Sequence, residues 1–183
     1  LICYVVLGIL LMGSGIVVSC DSFNEDLPEC RLLVKFKYDY NMEFADAFHA
    51  QVDKVELYIF DKDGKFMFKQ AEEGSALSTG NYLMEVELPV GQYQFMAWAG
   101  ARDSYDITPL TPGVSTITDL KLKLKREASL IINKKMETLW YGEIIGVNFT
   151  GTEHQTETIN LIRDTKIVRF GFQSYTGTWT LDM

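Results

Sequence analysis

The sequence has little of what a catalytic, metal-binding or nucleic-acid-binding protein needs. It holds only two histidines, His49 and His154, and neither sits in a spacing typical of metal ligands. A G-x-S-x-G elbow, a phosphate loop and a dinucleotide fingerprint are all missing. The net charge of −8 leaves no basic excess for binding nucleic acid. We therefore expect no enzyme activity, no catalytic residues, no metal, no cofactor and no nucleic-acid partner.

Cysteine is also scarce. The 183 residues contain three cysteines, and Cys3 lies inside an apolar leader, which leaves Cys20 and Cys30. A disulfide scaffold needs more than one pair, so cysteine does not build this fold. We expect Cys30 to be a small buried hydrophobic residue and not a reactive thiol.

Residues 1–19 carry no charge, and the chain becomes acidic immediately after Cys20. The leader is long enough to cross a bilayer, which takes about 20 apolar residues, and it also fits the core of a secretory signal. Val17-Val18-Ser19-Cys20 resembles the bacterial lipobox, in which the cysteine sulfur receives a diacylglyceryl group and a peptidase cuts just before it. The alternative is a transmembrane helix that ends at Cys20. The short acidic stretch 21–29 favours the lipoprotein, because stop-transfer signals are usually rich in Lys or Arg.

We therefore predict a lipoprotein signal peptide over 1–19, with a truncated start, and cleavage between Ser19 and Cys20. Cys20 is the predicted lipid attachment site, and residues 20–30 form an acidic tether. Two or three acyl chains on Cys20 would hold the protein in a membrane far better than one.

From Cys30 onward the hydrophobic pattern has period two, which predicts an all-β fold, a β-sandwich. Asp63-Gly64 is the clearest hairpin turn, and residues 41–50 are the best candidate for a short helix or loop, with Phe44 and Phe48 packed inward. The cleanest alternation is that of Leu120, Leu122 and Leu124 with lysines. The predicted domains are an N-terminal sandwich over 31–126, then 127–183 as its remainder or the truncated opening of a second β domain. The predicted strands are 32–39, 54–59, 66–68, 84–88, 93–99, 120–125, 159–161 and 167–172. The segment 127–160 mixes helical and strand patterns and is not assigned.

Two polar or aromatic groups have a structural and a functional interpretation. Asp61-Lys62-Asp63-Gly64 faintly resembles a calcium loop, but Ile59 and Gln70 stand where acidic ligands belong, so a hairpin turn explains it better. Tyr93, Trp98 and Tyr105 could stack on sugars if they lined one exposed face. Packing in the core or on the sheet is the favoured interpretation.

An ordered set of motifs resembles the fimbrial anchor lipoproteins of the Bacteroidales, the FimB type. Behind the lipobox, the tether and Cys30, the motifs are Val34-Lys35-Phe36-Lys37-Tyr38 with Tyr40-Asn41, Val55-Glu56-Leu57-Tyr58-Ile59-Phe60-Asp61 with Asp63-Gly64-Lys65, Leu88-Pro89-Val90-Gly91-Gln92-Tyr93, Ala97-Trp98-Ala99-Gly100, Leu139-Trp140-Tyr141-Gly142-Glu143 and Arg163-Asp164-Thr165-Lys166. The resemblance covers residues 20 to about 173.

The resemblance implies two transthyretin-like β-sandwich domains, of which this chain has the first and the opening of the second. It also implies an outer-membrane, surface-exposed lipoprotein that secures the base of a fimbrium without catalysis. Its partners would be fimbrial subunits, joined by β-strand donation from a segment near the C-terminus of the longer family members. The alternative is a glycan-binding surface lipoprotein of a nutrient-uptake system, which predicts an exposed aromatic platform built on Trp98, Trp140 or Trp179.

Overall fold

The computed structural model describes residues 30–126, 135–152 and 154–166. In these ranges it contains strands, one short α-helix and two 3₁₀ helices. The helix, α1, is Phe48–Gln51, and the 3₁₀ helices are Ser75–Thr79 and Ile117–Asp119. The strands are β1 (Leu32–Lys37), β2 (Lys54–Asp61), β3 (Phe66–Glu73), β4 (Met84–Val86), β5 (Gly91–Ala99), β6 (Tyr105–Ile107), β7 (Leu122–Leu124), β8 (Trp140–Phe149) and β9 (Gln155–Arg163).

Seven strands form one sheet in the order β3-β2-β5-β8-β9-β1-β4. Side chains of β1 and of β2 belong to the same buried cluster although three strands separate them in this order. The sheet therefore folds over into two packed layers, β3-β2-β5-β8 and β1-β4. The predicted all-β sandwich is confirmed.

Strand β9 connects the two layers. Its first part, 155–160, pairs in parallel with β1, and its last part, 161–163, pairs with β8. Gly142 lies where β9 changes its partner from β1 to β8. A Cβ added to Gly142 would lie 2.7 Å from Ile159 Cγ2 and 3.0 Å from Ala97 Cβ. A glycine is required there because the layers approach too closely for any side chain.

The core between the layers consists of alternate residues on each strand, as period two dictates. They include Val34, Phe36, Leu57, Ile59, Phe95, Ala97, Ile159 and Leu161, all at most 1% exposed. Phe48 of α1 packs on Phe36 with ring centroids 5.7 Å apart. This core confirms the inward faces predicted for β1, β2, β5 and β9.

A covering segment, residues 101–124, lies over the outer face of β2 and β3. It contains β6 and β7, which pair with each other outside the main sheet. Phe66 N donates to Ser115 O at 2.8 Å, and Ile117 N donates to Gly64 O at 2.9 Å. A capping box between Thr116 and Asp119 fixes the 3₁₀ helix. The covering segment buries a second cluster of side chains, Tyr58, Phe60, Phe66, Met96 and Leu120.

Two expectations need correction. Phe48 is buried, but Phe44 is exposed and not packed inward. Residues 120–124 form only the three-residue strand β7, whose leucines are half-buried. The region 127–160, whose sequence pattern is mixed, contains β8 and most of β9. The predicted strand 167–172 and the predicted signal peptide lie outside the described residues, and the domain boundaries stay a prediction.

Candidate attachment and contact surfaces

The chain enters the sandwich at the N-terminal end of β1. Gln155 N donates to Arg31 O at 2.9 Å, which fixes the entry against the start of β9. Cys30, immediately before it, is exposed and not buried as expected, because it precedes the strand whose alternate residues enter the core. The predicted site residues Ser19 and Cys20 lie outside the described residues.

The described chain leaves at the opposite end. Because β1 and β9 are parallel, both strands end on the same side of the sandwich, at Lys37 and Arg163. Asp164 N donates to Leu139 O at 2.9 Å, which holds the exit against the residue before β8. Arg31 and Asp164 therefore lie at opposite ends of the pair formed by β1 and β9.

The loop over residues 39–46, which follows β1, displays three large apolar side chains to solvent. Tyr40, Met42 and Phe44 are 80%, 94% and 90% exposed. Soluble proteins rarely group exposed apolar side chains in this way unless they are used in contacts. We refer to this segment as the contact loop.

Hydrogen bonds hold the contact loop in one shape. Asn41 Nδ2 donates to Tyr38 O at 2.9 Å and to Ala45 O at 2.7 Å, while its Oδ1 accepts from Glu43 N at 2.9 Å. Asp46 Oδ1 accepts from Tyr38 N and from Phe48 N, both at 3.0 Å. Phe44 has a φ of 53°, which is unfavourable for an aromatic residue and which this network enforces.

The strand edges differ in their suitability for a partner strand. Strand β3 ends in charged residues, Glu72 and Glu73, and β4 has only three residues. Charges and shortness both discourage edge-to-edge pairing. Within the described residues, Ile145–Phe149 of β8 pairs with β5 on one side and with no strand on the other, and Glu143 and Ile144 lie at the shift in register. Ile144 in this stretch is half exposed.

A cleft of about 490 Å³ lies between the outer face of β2 and the covering segment. Glu56, only 7% exposed, is at its floor. Its carboxylate accepts from Lys69 Nζ at 3.0 Å and from Tyr58 Oη at 3.1 Å, and Lys54 Nζ lies 3.8 Å away. Burying a carboxylate is unfavourable unless it is paired in this way.

Two further groups of the cleft are also held by burial and by charge pairing. Burial first, and then the negative charge of Glu56 and its hydrogen bond, raise the pKa of Tyr58 far above its ordinary value. Arg102, at the rim, contacts Glu73 at 2.6 Å and Asp53 at 3.1 Å. The charged groups around the cleft are thus largely paired with one another, and the arrangement has the character of a structural network.

The aromatic residues considered as a sugar platform do not form one. Tyr93, Tyr105 and Trp140 are buried, and Trp98 is half-buried against Tyr141 with ring centroids 5.4 Å apart. Trp179 lies outside the described residues. Packing in the core or on the sheet is confirmed for Tyr93, Trp98 and Tyr105.

Asp61 forms a hairpin turn, as expected. Its Oδ1 accepts from Asp63 N at 2.9 Å and from Lys65 N at 2.8 Å, and Gly64 has a φ of 75°.

The described residues include no cluster of His, Cys, Asp or Glu suited to hold a metal ion. Among the helices in the described part of the chain, none is both long and apolar enough to span a membrane.

The comparisons with known proteins agree on one family. The profile of the family described as "Fimbrillin-A associated anchor proteins Mfa1 and Mfa2" matches residues 27–183. The "Minor fimbrium anchoring subunit Mfa2" of Porphyromonas gingivalis is 29% identical over 131 residues, which cover 69% of this chain and 40% of that protein.

Solved structures show the same fold. A Bacteroides thetaiotaomicron protein, described provisionally as polysaccharide-binding, is 92% identical with a TM-score of 0.78, and the match covers 84% of this chain and 54% of that one. The fimbrial anchor protein Mfa2 of Porphyromonas gingivalis is 25% identical with a TM-score of 0.55, over 74% of this chain and 50% of that one. The chain spans about half the length of the solved relatives it matches.

Proposed function

The chain belongs to the family of fimbrillin-A associated anchor proteins, and on this premise we propose that it anchors the base of a fimbrium to the bacterial outer membrane. The family match, which extends over residues 27–183, is the observation on which the proposal depends. The role is structural: the protein transmits force between a membrane and a fibre and needs no reacting groups.

Attachment to the membrane is assigned to Cys20. The motif Val17-Val18-Ser19-Cys20 supports transfer of a diacylglyceryl group to its sulfur, followed by cleavage between Ser19 and Cys20. The acidic tether 20–30 then leads to the exposed end of β1. A second and third acyl chain matter here because one chain alone gives only marginal, reversible membrane binding.

The partners are fimbrial subunits, and we assign the contact to β-strand donation. An added strand gains main-chain hydrogen bonds and inserts alternate side chains into pockets. The donated segment lies near the C-terminus of the longer family members. On this domain the unpaired side of Ile145–Phe149 offers a further edge, and half-exposed Ile144 beside it would be covered by an incoming strand. The edge of β3, with its charges, and short β4 are less suitable.

Cell fractionation tests the membrane attachment. Cys20→Ala should remove the protein from the outer-membrane fraction, and mass spectrometry of the wild type should find acyl chains on Cys20. The matched control is Cys30→Ala, which should leave the protein in the membrane. An unmodified Cys20 with residues 1–19 still attached would contradict the assignment.

Deletion tests the anchoring role. Cells without the protein should release fimbriae into the medium, and the wild-type gene should restore attachment. Ile144→Asp should weaken capture of purified fimbrial subunits, whereas Thr158→Asp, at an exposed position of β9, serves as the matched control. Fimbriae that stay firmly attached in deletion cells would contradict the proposal.

The glycan-binding alternative is not favoured. It needs an exposed aromatic platform, and Trp140 is buried while Trp98 is half-buried against Tyr141. The Bacteroides thetaiotaomicron relative is described as polysaccharide-binding, so this alternative has an experimental test of its own. Polysaccharide binding by the purified protein, lost on Trp98→Ala, would reinstate it.

A further inference from the structure

The first and last described strands are direct neighbours and run in the same direction. Strand β1 pairs with β9 from Leu32 opposite Gln155 to Lys37 opposite Asn160. All other strand pairs within the described ranges are antiparallel. We refer to β1 and β9 together as the terminal strand pair, since the chain enters through one and leaves through the other.

The parallel direction decides how this pair responds to a pulling force. Entry at Arg31 and exit at Asp164 lie at opposite ends of the pair, so a force between them pulls the two strands lengthwise in opposite directions. The hydrogen bonds between the strands, which are evenly spaced in a parallel pair, are then loaded together. A force that separated the strands from one end would instead load the bonds one after another.

Packing adds to the resistance. Val34 and Phe36 of β1, and Ile159 of β9, are at most 1% exposed and pack in the core. Sliding one strand past the other would pull these side chains out of their sites and leave backbone groups without partners in a dry interior. Each strand is also held on its other side, β1 by β4 and the end of β9 by β8.

We infer that the terminal strand pair is a mechanical clamp that resists tension applied between the membrane tether and the chain beyond residue 166. The inference rests on the proposed function for the direction of load, in which the membrane pulls at residue 30 and a fimbrial subunit joined near the C-terminus of the longer protein pulls through the chain beyond residue 166. The inference assigns resistance to tension to the parallel direction of the two strands. If β1 and β9 were antiparallel, the same load would open them from one end.

Single-molecule pulling tests the clamp with two attachment geometries on the same strands. The chain from residue 20, with Cys20→Ser, keeps Cys30 as the common attachment point. Lys166→Cys adds a second point at the far end of β9, and His154→Cys adds one at the near end. All three positions are exposed. The first geometry slides the strands past each other, and the second opens them from one end.

We expect the mean unfolding force to be at least about twofold higher for the 30–166 geometry, because the bonds share the load. Equal forces, or a higher force for the 30–154 geometry, would overturn the inference. Urea unfolding of the two cysteine variants is the control. The two variants should have equal free energies of unfolding in solution, because forced unfolding depends on the unfolding rate along the pulled direction and urea unfolding does not. An unfolded variant would be replaced by the neighbouring exposed position, Asp164→Cys or Thr152→Cys.

The clamp and the anchoring role fail separately. Equal unfolding forces would remove the clamp and leave anchoring to be decided by fimbrial release from deletion cells. Attached fimbriae in deletion cells would remove the anchoring role, and the direction dependence of the force would still be measurable.

Discussion

The two faces of strand β2 are both buried, but by different partners. The inner face presents Val55, Leu57 and Ile59 to the core between the two layers, where each is fully buried. The outer face presents Glu56 and Tyr58 to the covering segment. The inner face is therefore buried by the packing of the two layers, and the outer face is buried by the covering segment.

The two faces of β2 should therefore contribute differently to the stability of the domain. The inner face joins strands from both layers, so a defect there weakens the whole domain. The outer face includes a paired carboxylate, a phenol and a cleft, and a paired buried charge contributes little net stability. We expect the covering segment to tolerate changes that the inner core does not.

A cavity on the inner face should have the largest effect. Leu57→Ala removes buried methyl groups from a fully buried site, and we expect the free energy of unfolding to fall by about 2 to 5 kcal/mol. Urea unfolding measures it. Leu57→Met, which conserves volume, is the control and should cost less than about 1.5 kcal/mol. A loss from Leu57→Ala smaller than that from Glu56→Gln would reverse the ranking of the two faces.

The inner face could be predicted from the sequence, and the outer face could not. Alternation of Val55, Leu57 and Ile59 with polar residues indicates one buried face. The same pattern places Glu56 in solvent, because a distant segment that covers it leaves no mark on local periodicity. Glu56 is in fact almost fully buried. The sequence therefore does not predict the cleft. The only local sign of a covered outer face is that it contains the aromatic residues Tyr58 and Phe60.

Irregular geometry explains the other failures. The pairing of β8 shifts register between Phe95 and Ala97 of β5, which interrupts the alternation on β8 and hides this strand from a search for period two. Phe44 is exposed because Asn41 and Asp46 shape the contact loop by side-chain hydrogen bonds. A helical hydrophobic pattern contains no information about such bonds. The family, by contrast, was recognised correctly from ordered motifs.

Neutralising the buried carboxylate should have the second largest effect. Glu56→Gln keeps the shape of the side chain and removes the negative charge from the acceptor of the hydrogen bonds with Lys69 and Tyr58. We expect a loss of about 1 to 2 kcal/mol in the free energy of unfolding. Hydrogen exchange should show faster opening of the covering segment with β1 and β5 unaffected. Uniformly faster exchange would mean that both faces form one cooperative unit.

Alkaline pH should weaken the outer face through Tyr58. Its pKa is raised in the folded protein, so the native state binds the phenolic proton more tightly than the unfolded state does. Stability from this group is complete below about pH 10 and falls as pH rises above it, by up to about 1.4 kcal/mol per pH unit. Urea unfolding at rising pH should show a steeper loss for the wild type than for Tyr58→Phe. Parallel curves would exclude Tyr58 as a cause.

The exposed partner of Glu56 should have the smallest effect. The side chain of Lys69 is 42% exposed, and Lys54 remains near the carboxylate when Lys69 is removed. We therefore expect Lys69→Met to cost about 0.5 kcal/mol, as is usual for solvent-screened ion pairs. A double-mutant cycle with Glu56→Gln isolates the pair, and urea unfolding at high salt should shrink the coupling. A coupling above about 2 kcal/mol that does not respond to salt would be typical of a fully desolvated pair. The outer face would then contribute to stability on the scale of the inner core, and the distinction between the two faces of β2 would be lost.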